Sequence, residues 1–245
     1  MSHNTWLVVL LPVGAYLVGA IPFGLFVGYL RGVDVRKQGS GNIGATNVGR
    51  VLGLKWGLLV FGLDVAKGAV PTGIGAWVMG SYGAPLGVAS AWGQTLVVIV
   101  VQTCCVVGHN WPIYLGFKGG KGVATSLGIL LGYWPYLTLP GLAALVTWGL
   151  VLGASRYVSA ASIVAAGTFP LYVAIFGRWQ EWPGARTVLL VAFSAVMASL
   201  IIIRHRGNIV RLLAGTEPKV GRKVPSGGQG ATGEGAAADT HPGSE

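Results

Sequence analysis

The sequence predicts an all-α protein of the membrane, a polytopic helical bundle of about seven transmembrane helices with its N-terminus outside. Three observations carry this. First, 53 % of the 245 residues are apolar and only 10 % are charged, against about 25 % in soluble domains; the mean hydropathy is +0.65. Second, long stretches hold no charge: residues 6–30 and 84–108 give 25 each, 157–177 gives 21 and 187–203 gives 17. A helix needs roughly 20 such residues to cross a bilayer. Third, Lys and Arg are grouped rather than scattered. The runs are rich in Leu, Val and Ala and poor in turn residues, which favours helices over a closed barrel.

The elements follow in order. The first span, 6–30, has no Lys or Arg before Arg31, so it lacks the basic start of a signal peptide and reads as a retained helix. A polar stretch, 31–55, precedes a second span near 56–80 that carries Asp64 and Lys67. The uncharged turn "GSYGAPLG" leads to a third span near 86–107. Residues 123–155 are 33 uncharged residues, long for one helix. "LPG" at 139–141 suggests a break into two short helices of about 24 Å each. The sixth and seventh spans lie near 158–177 and 187–203. Trp56, Trp111, Trp134 and Trp182 lie near span ends, where interfacial anchors belong.

Charge then sets the orientation. Of 17 Lys and Arg, only Arg178 and Arg186 fall on the face shared with the N-terminus, provided that 123–155 crosses twice. The positive-inside rule makes the other face cytoplasmic. Topology therefore accounts for most of the net charge of +10, and no nucleic-acid partner is implied. The two cysteines, Cys104 and Cys105, are adjacent in an apolar run and imply packing rather than a disulfide framework. We expect a membrane-embedded domain over 1–223 and a disordered, glycine-rich tail over 224–245.

The unusual polar sequence is concentrated in three cytoplasmic stretches. In "GSGNIGATNVGR" (39–50), Gly39 and Gly41 flank Ser40, followed by Asn42, Thr46, Asn47 and Arg50. Glycines let successive N–H groups face one concavity, a nest for anions, and Arg50 offers a bidentate grip on phosphate. The competing reading is a flexible loop with a helix cap at Thr46 or Asn47. In "GFKGGKGVAT" (116–125), Lys118, Gly119, Gly120, Lys121 and Gly122 precede an apolar run. This is not a nucleotide-binding P-loop, because Gly122 stands where Ser or Thr should follow the lysine. Glycines ahead of a helix still present free N–H groups to an anion. In "RHRGNIVRLLAGTEP" (204–218), His205 and Asn208 share one face if the last span's helix continues, and Glu217 is the only acid available to pair with a base. Arg204, Arg206 and Arg211 fit lipid headgroups equally well. Asp64 and Lys67, three apart inside a span, suit a buried pair. No His, Cys and carboxylate cluster has metal-ligand spacing, and neither an H-x4-D nor a G-x-S-x-G pattern occurs.

The three stretches, in this order between spans, resemble the signature motifs of the bacterial acyl-phosphate:glycerol-3-phosphate acyltransferases, the PlsY family. "LDVAKG" (63–68) and "SRYVSAAS" (155–162) also look like family sequence, and the resemblance covers about residues 5–223. It implies a multi-pass enzyme of the bacterial inner membrane with its active site on the cytoplasmic face. It implies transfer of a fatty acyl group from acyl phosphate to the sn-1 hydroxyl of glycerol 3-phosphate, giving lysophosphatidic acid and phosphate, with no cofactor and no metal. The acyl phosphate would be supplied by a phosphate acyltransferase, and membrane lipids would surround the protein. By the same resemblance Ser40, Arg50, His205 and Asn208 are catalytic. The glycine loops, with Asn42, Thr46, Asn47, Lys118 and Lys121, bind substrate. Asp64, Lys67, Arg156, Ser159 and Glu217 support them. For the proton acceptor, the donor's own phosphate is preferred to His205, which would then act as an orienting donor. The rival from another class is a membrane transporter for an organic phosphate, which would show paired halves and an internal repeat; the sequence has no such repeat.

Overall fold

A computed structural model describes residues 5–80 and 91–220. Every regular element among them is helical. The chain runs α1 (Thr5–Ala20), α2 (Phe23–Leu30), α3 (Ala45–Leu52), α4 (Leu54–Val78), α5 (Ala91–Asn110), α6 (Val123–Leu131), α7 (Thr138–Ser155), α8 (Val158–Trp179), α9 (Gly184–Arg204) and α10 (Arg206–Leu213). Among the described residues, six segments are long and apolar enough to cross a membrane. The "GSYGAPLG" turn and the expected tail fall almost wholly outside the described residues.

Three expectations change in detail. The first span is two helices, because Pro22 has no N–H to continue the ladder and the helix stops at Ala20. The third helix runs to Asn110 rather than to residue 107, which places His109 and Asn110 on a helix. The segment 123–155 is divided as expected, but the break lies at residues 132–137 rather than at 139–141. Pro140 sits in the first turn of α7, where its missing N–H would have had no helical partner in any case. α6 is therefore only nine residues long, about 14 Å at the usual rise.

The helices pack through an apolar core in which α5 contributes Val98, Val101, Cys105 and Val106, all with no exposed surface. α4 and α6 run side by side in the same direction at very close range. A Cβ on Gly68 would lie 2.3 Å from the Thr125 carbonyl oxygen, and one on Gly128 would lie 2.0 Å from that of Val65. The outward faces carry large exposed apolar side chains such as Leu10, Leu59, Val146, Leu171 and Val196, as lipid-facing surfaces do.

The two ends of the bundle are distinct. At one end Lys121 reaches Asn208. At the other the Tyr136 ring packs edge-on against Trp182, with centroids 5.3 Å apart, beneath the Arg186 guanidinium.

Candidate active site

The 39–50 loop folds around one side chain. Asn47 is 2 % exposed. Its amide donates to the carbonyls of Val35 (2.9 Å), Gln38 (3.1 Å) and Asn42 (2.8 Å), and its Oδ1 accepts from the Ser40 N–H at 2.8 Å. Gly39 has φ +59°, and a Cβ there would sit 2.4 Å from Asn47 Oδ1, so the loop requires glycine at that position. The Asn42 side chain accepts from the Gly44 N–H at 2.8 Å. α3 starts at Ala45 with Gly44 as its cap, so neither Thr46 nor Asn47 is the cap that the sequence suggested. The structure thus commits Asn47 to the loop's own backbone rather than to a ligand. Ser40 and Thr46 stay exposed on its surface.

The other two motifs interlock over long sequence distances. Lys121 Nζ donates to Asn208 Oδ1 at 2.6 Å. Asn208 Nδ2 donates to Glu217 Oε1 at 2.6 Å, and Ser159 Oγ donates to the same oxygen at 2.6 Å. Arg211 Nε closes the set on Glu217 Oε2 at 2.8 Å. Burial pushes the Glu217 carboxyl up, but these hydrogen bonds and the Arg211 charge outweigh it and hold it below the usual carboxylate value. The Arg50 guanidinium reaches the Pro218 carbonyl at 3.4 Å, joining the first motif to the third. Arg156, the left-handed cap of α7 at φ +63°, contributes through its backbone: its carbonyl accepts from the Val220 N–H at 2.9 Å.

Two titrating groups sit in this assembly. Burial pulls Lys121 down to about 8; the Arg211, Arg50 and Arg204 charges act in the same direction, against Glu217. Burial takes His205 down to about 4, more than offsetting its backbone hydrogen bond, so the ring is neutral at pH 7. α9 ends at Arg204 and the chain kinks at His205 before α10, yet His205 and Asn208 are both buried on the site side. His205 Nδ1 lies 2.8 Å from the Ile201 carbonyl. A carbonyl only accepts, so Nδ1 carries the proton and Nε2 is left as a lone pair.

Sequence reasoning missed Arg204. Its guanidinium donates to the carbonyls of Gly120 (2.6 Å) and Gly119 (3.1 Å) and lies 5.5 Å over the Trp111 ring. It clamps the glycine–lysine loop rather than reaching for headgroups. Its place beside His205 in a basic cluster concealed this. Lys118 is exposed on the same loop, and Gly122 caps α6 with φ +81°.

One end of the helical bundle thus gathers two glycine-rich loops, the part-buried cations Arg50, Lys121 and Arg204 and a neutral histidine, a setting whose charge suits anionic ligands. Comparison with known proteins agrees. Residues 9–215 match the model of the family described as glycerol-3-phosphate acyltransferase. A glycerol-3-phosphate acyltransferase of Thermoanaerobacter sp. (strain X514) is 44 % identical over 217 residues, which is 88 % of this chain and 97 % of the relative. That of Thermosynechococcus vestitus is 43 % identical over 216 residues, 86 % and 94 % of the two chains. Two crystal structures of PlsY (YgiH), an integral membrane glycerol 3-phosphate acyltransferase, are 39 % identical and superpose well. The glycerol 3-phosphate form has a TM-score of 0.72 over 87 % of this chain and 96 % of that one. The lysophosphatidic acid form has 0.71 over 86 % and 94 %. The chain belongs to the glycerol-3-phosphate acyltransferase family.

Proposed function

We propose that this protein transfers a fatty acyl group from acyl phosphate to the sn-1 hydroxyl of glycerol 3-phosphate, releasing lysophosphatidic acid and inorganic phosphate. The observation that carries the reading is the Lys121–Asn208–Glu217–Ser159 chain of contacts, which gathers two loops and two helices around one half-buried cation. Both substrates carry phosphate. Lys121, Arg50 and Lys118 offset the repulsion between them, and positioning the hydroxyl against the acyl carbonyl is the main task, since the donor is already activated. The Ser40 hydroxyl and the second N–H of the Asn208 side-chain amide face the developing oxyanion, a contribution typically worth about 3–4 kcal/mol per donor.

The hydroxyl oxygen attacks the carbonyl carbon, the bond from that carbon to the phosphate oxygen breaks, and the departing phosphate takes the hydroxyl proton. His205 does not donate here. Its Nε2 lone pair accepts a hydrogen bond from the neighbouring sn-2 hydroxyl of glycerol 3-phosphate and so aims the sn-1 oxygen, whose own proton stays available to the phosphate; this revises the orienting donor expected from sequence. With a value near 4 it is a weak base, so the phosphate remains the better proton acceptor.

We further assign the protein to the bacterial inner membrane, with the motif end cytoplasmic and the N-terminus outside. Seven crossings follow if 123–137 counts as one. In support, Lys121 lies at the motif end while Tyr136 lies against Trp182 and Arg186 at the far end.

The test is phosphate release by purified protein in lipid, with palmitoyl phosphate and glycerol 3-phosphate and no added metal, run beside palmitoyl-CoA. Release that depends on glycerol 3-phosphate, with no product from the CoA ester, is the expected result. Product from the CoA ester alone would overturn the donor assignment.

A further inference from the structure

The glycine–lysine loop rests on a buried polar pillar that lies outside the contacts described so far. Asp64 and Lys67 face each other one turn apart on α4, at 2.8 Å and almost fully buried. Lys67 also donates to the Ile21 carbonyl at 2.9 Å, in the gap between α1 and α2 where Pro22 interrupts the helix. A charged pair in a membrane interior is costly, and such pairs are usually kept for a task.

His109, at the end of α5, stands on this pair. Its Nδ1 is 3.8 Å from Asp64 Oδ1 and has no hydrogen-bond partner. The other edge of the ring lies under the loop: a Cβ on Gly120 would come within 2.1 Å of His109 Nε2. The ring is therefore wedged between the Asp64 carboxylate and the Gly120 backbone. The loop meets α5 at two more points, where Gly120 N–H donates to the His109 carbonyl (3.1 Å) and Gly119 N–H to that of Asn110 (3.2 Å). Arg204 holds the same two glycines by their carbonyls and reaches the Asn110 carbonyl at 3.5 Å as well. Lys121 is the next residue, and its ammonium must meet Asn208 at 2.6 Å.

We propose that Asp64, Lys67 and His109 are positioning residues, a pillar that sets where Gly119, Gly120 and Lys121 stand relative to Asn208 and so sets the grip on glycerol 3-phosphate. They touch no substrate. A misplacement of about 1 Å in such a loop can cost on the order of 100-fold in rate, and the pillar prevents it. The absence of a side chain at Gly120 is then a fit to the His109 ring.

This inference rests on the glycerol 3-phosphate reading, and the test separates the two. Wild type, His109→Ala, Gly120→Ala and the double variant are compared for KM of glycerol 3-phosphate, kcat and thermal unfolding in detergent. Loss of glycerol 3-phosphate-dependent turnover by the wild type itself would sink the reading of function. Given an active wild type, His109→Ala should raise KM about tenfold. Gly120→Ala should lose about 100-fold in kcat/KM, because the buried ring cannot retreat. The double variant should be no worse than His109→Ala, since removing the ring makes room for the methyl group. Asp64→Asn keeps the shape and removes the charge, and should raise KM several-fold even if His109→Ala folds poorly. A double variant that loses the product of the two single losses would overturn the pillar. So would variants that unfold at lower temperature with KM unchanged.

Discussion

The first-motif loop and the joint between the second and third motifs are built in opposite ways. The loop is local: Asn47 gathers partners 5 to 12 residues away, and among the described residues its hydrogen-bonded link to the third motif is the long one from Arg50 to Pro218. The joint is assembled from afar: Lys121 and Asn208 are 87 residues apart, Ser159 and Glu217 are 58, and Arg204 and Gly120 are 84. A local loop holds its shape from its own backbone. A distant joint exists only when the helices carrying it are packed, so packing and chemistry are coupled there. A change at the loop's internal organiser, Asn47, should therefore act on local order first, and a change in the joint on catalysis first.

The largest effect is expected at the joint. Lys121→Ala removes the half-buried ammonium and leaves Asn208 Oδ1 without its donor; kcat/KM for glycerol 3-phosphate should fall by about 10²–10³-fold, the size seen for lost transition-state donors. Glu217→Gln comes next. Ser159 and Asn208 donate to one carboxylate oxygen and Arg211 to the other; an amide keeps one acceptor oxygen for the first two and turns its NH2 group against the Arg211 guanidinium, so the joint loosens and kcat should drop at least tenfold. In contrast, Asn47→Ala should show first in stability, by about 2–4 kcal/mol for a buried amide with several partners. Hydrogen exchange should quicken at 35–48 while α7 to α9 stay protected. If Asn47→Ala loosens α8 and α9 as well, the loop is not local.

Acidity sharpens the same contrast. Lys121 is held down to about 8, so its charge is present below that value and is lost as pH rises through it. KM for glycerol 3-phosphate should climb above pH 8, and Lys121→Arg should flatten that limb, since guanidinium does not titrate there. Glu217 is held below the ordinary carboxylate value. Its contribution is full above the unfolded carboxylate value, about 4.3, and is lost as pH falls through the lowered one. Acid should therefore release the 214–220 segment from α8 while the 39–50 loop keeps its exchange protection. His205→Gln should reduce kcat and leave a neutral-range pH–rate profile unchanged in shape, because His205 titrates near 4. Disappearance of a neutral pKa in that variant would make His205 the base. The smallest effect is expected for Arg156→Gly, within about 1 kcal/mol and stabilising, since that position is left-handed and its side chain is exposed.

What could be read from sequence follows this division. Charge-free runs and grouped Lys and Arg outline the helices because the bilayer imposes both. The three motifs are legible because each is contiguous. The Asp64–Lys67 pair is legible because a helix turn puts residues three apart on one side. The break at 132–137 was not, because Pro140 looks like a breaker in a sequence yet is harmless in a first turn. Asn47 looked like a ligand because a polar residue in a glycine loop carries no mark of which way it points. Arg204 and His109 stayed hidden because their partners, the backbone carbonyls and backbone surface of the glycine loop, have no sequence signature.

The account's central claim is that the second and third motifs act as one unit through Lys121 and Asn208. A double-mutant cycle on kcat/KM, with Lys121→Ala, Asn208→Ala and the pair, tests it most directly. The account predicts that the double variant loses little more than the worse single, a coupling of at least tenfold, at rates still above the uncatalysed background. Losses that simply multiply would mean that the two side chains work independently, and the joint would not be the site's organising contact.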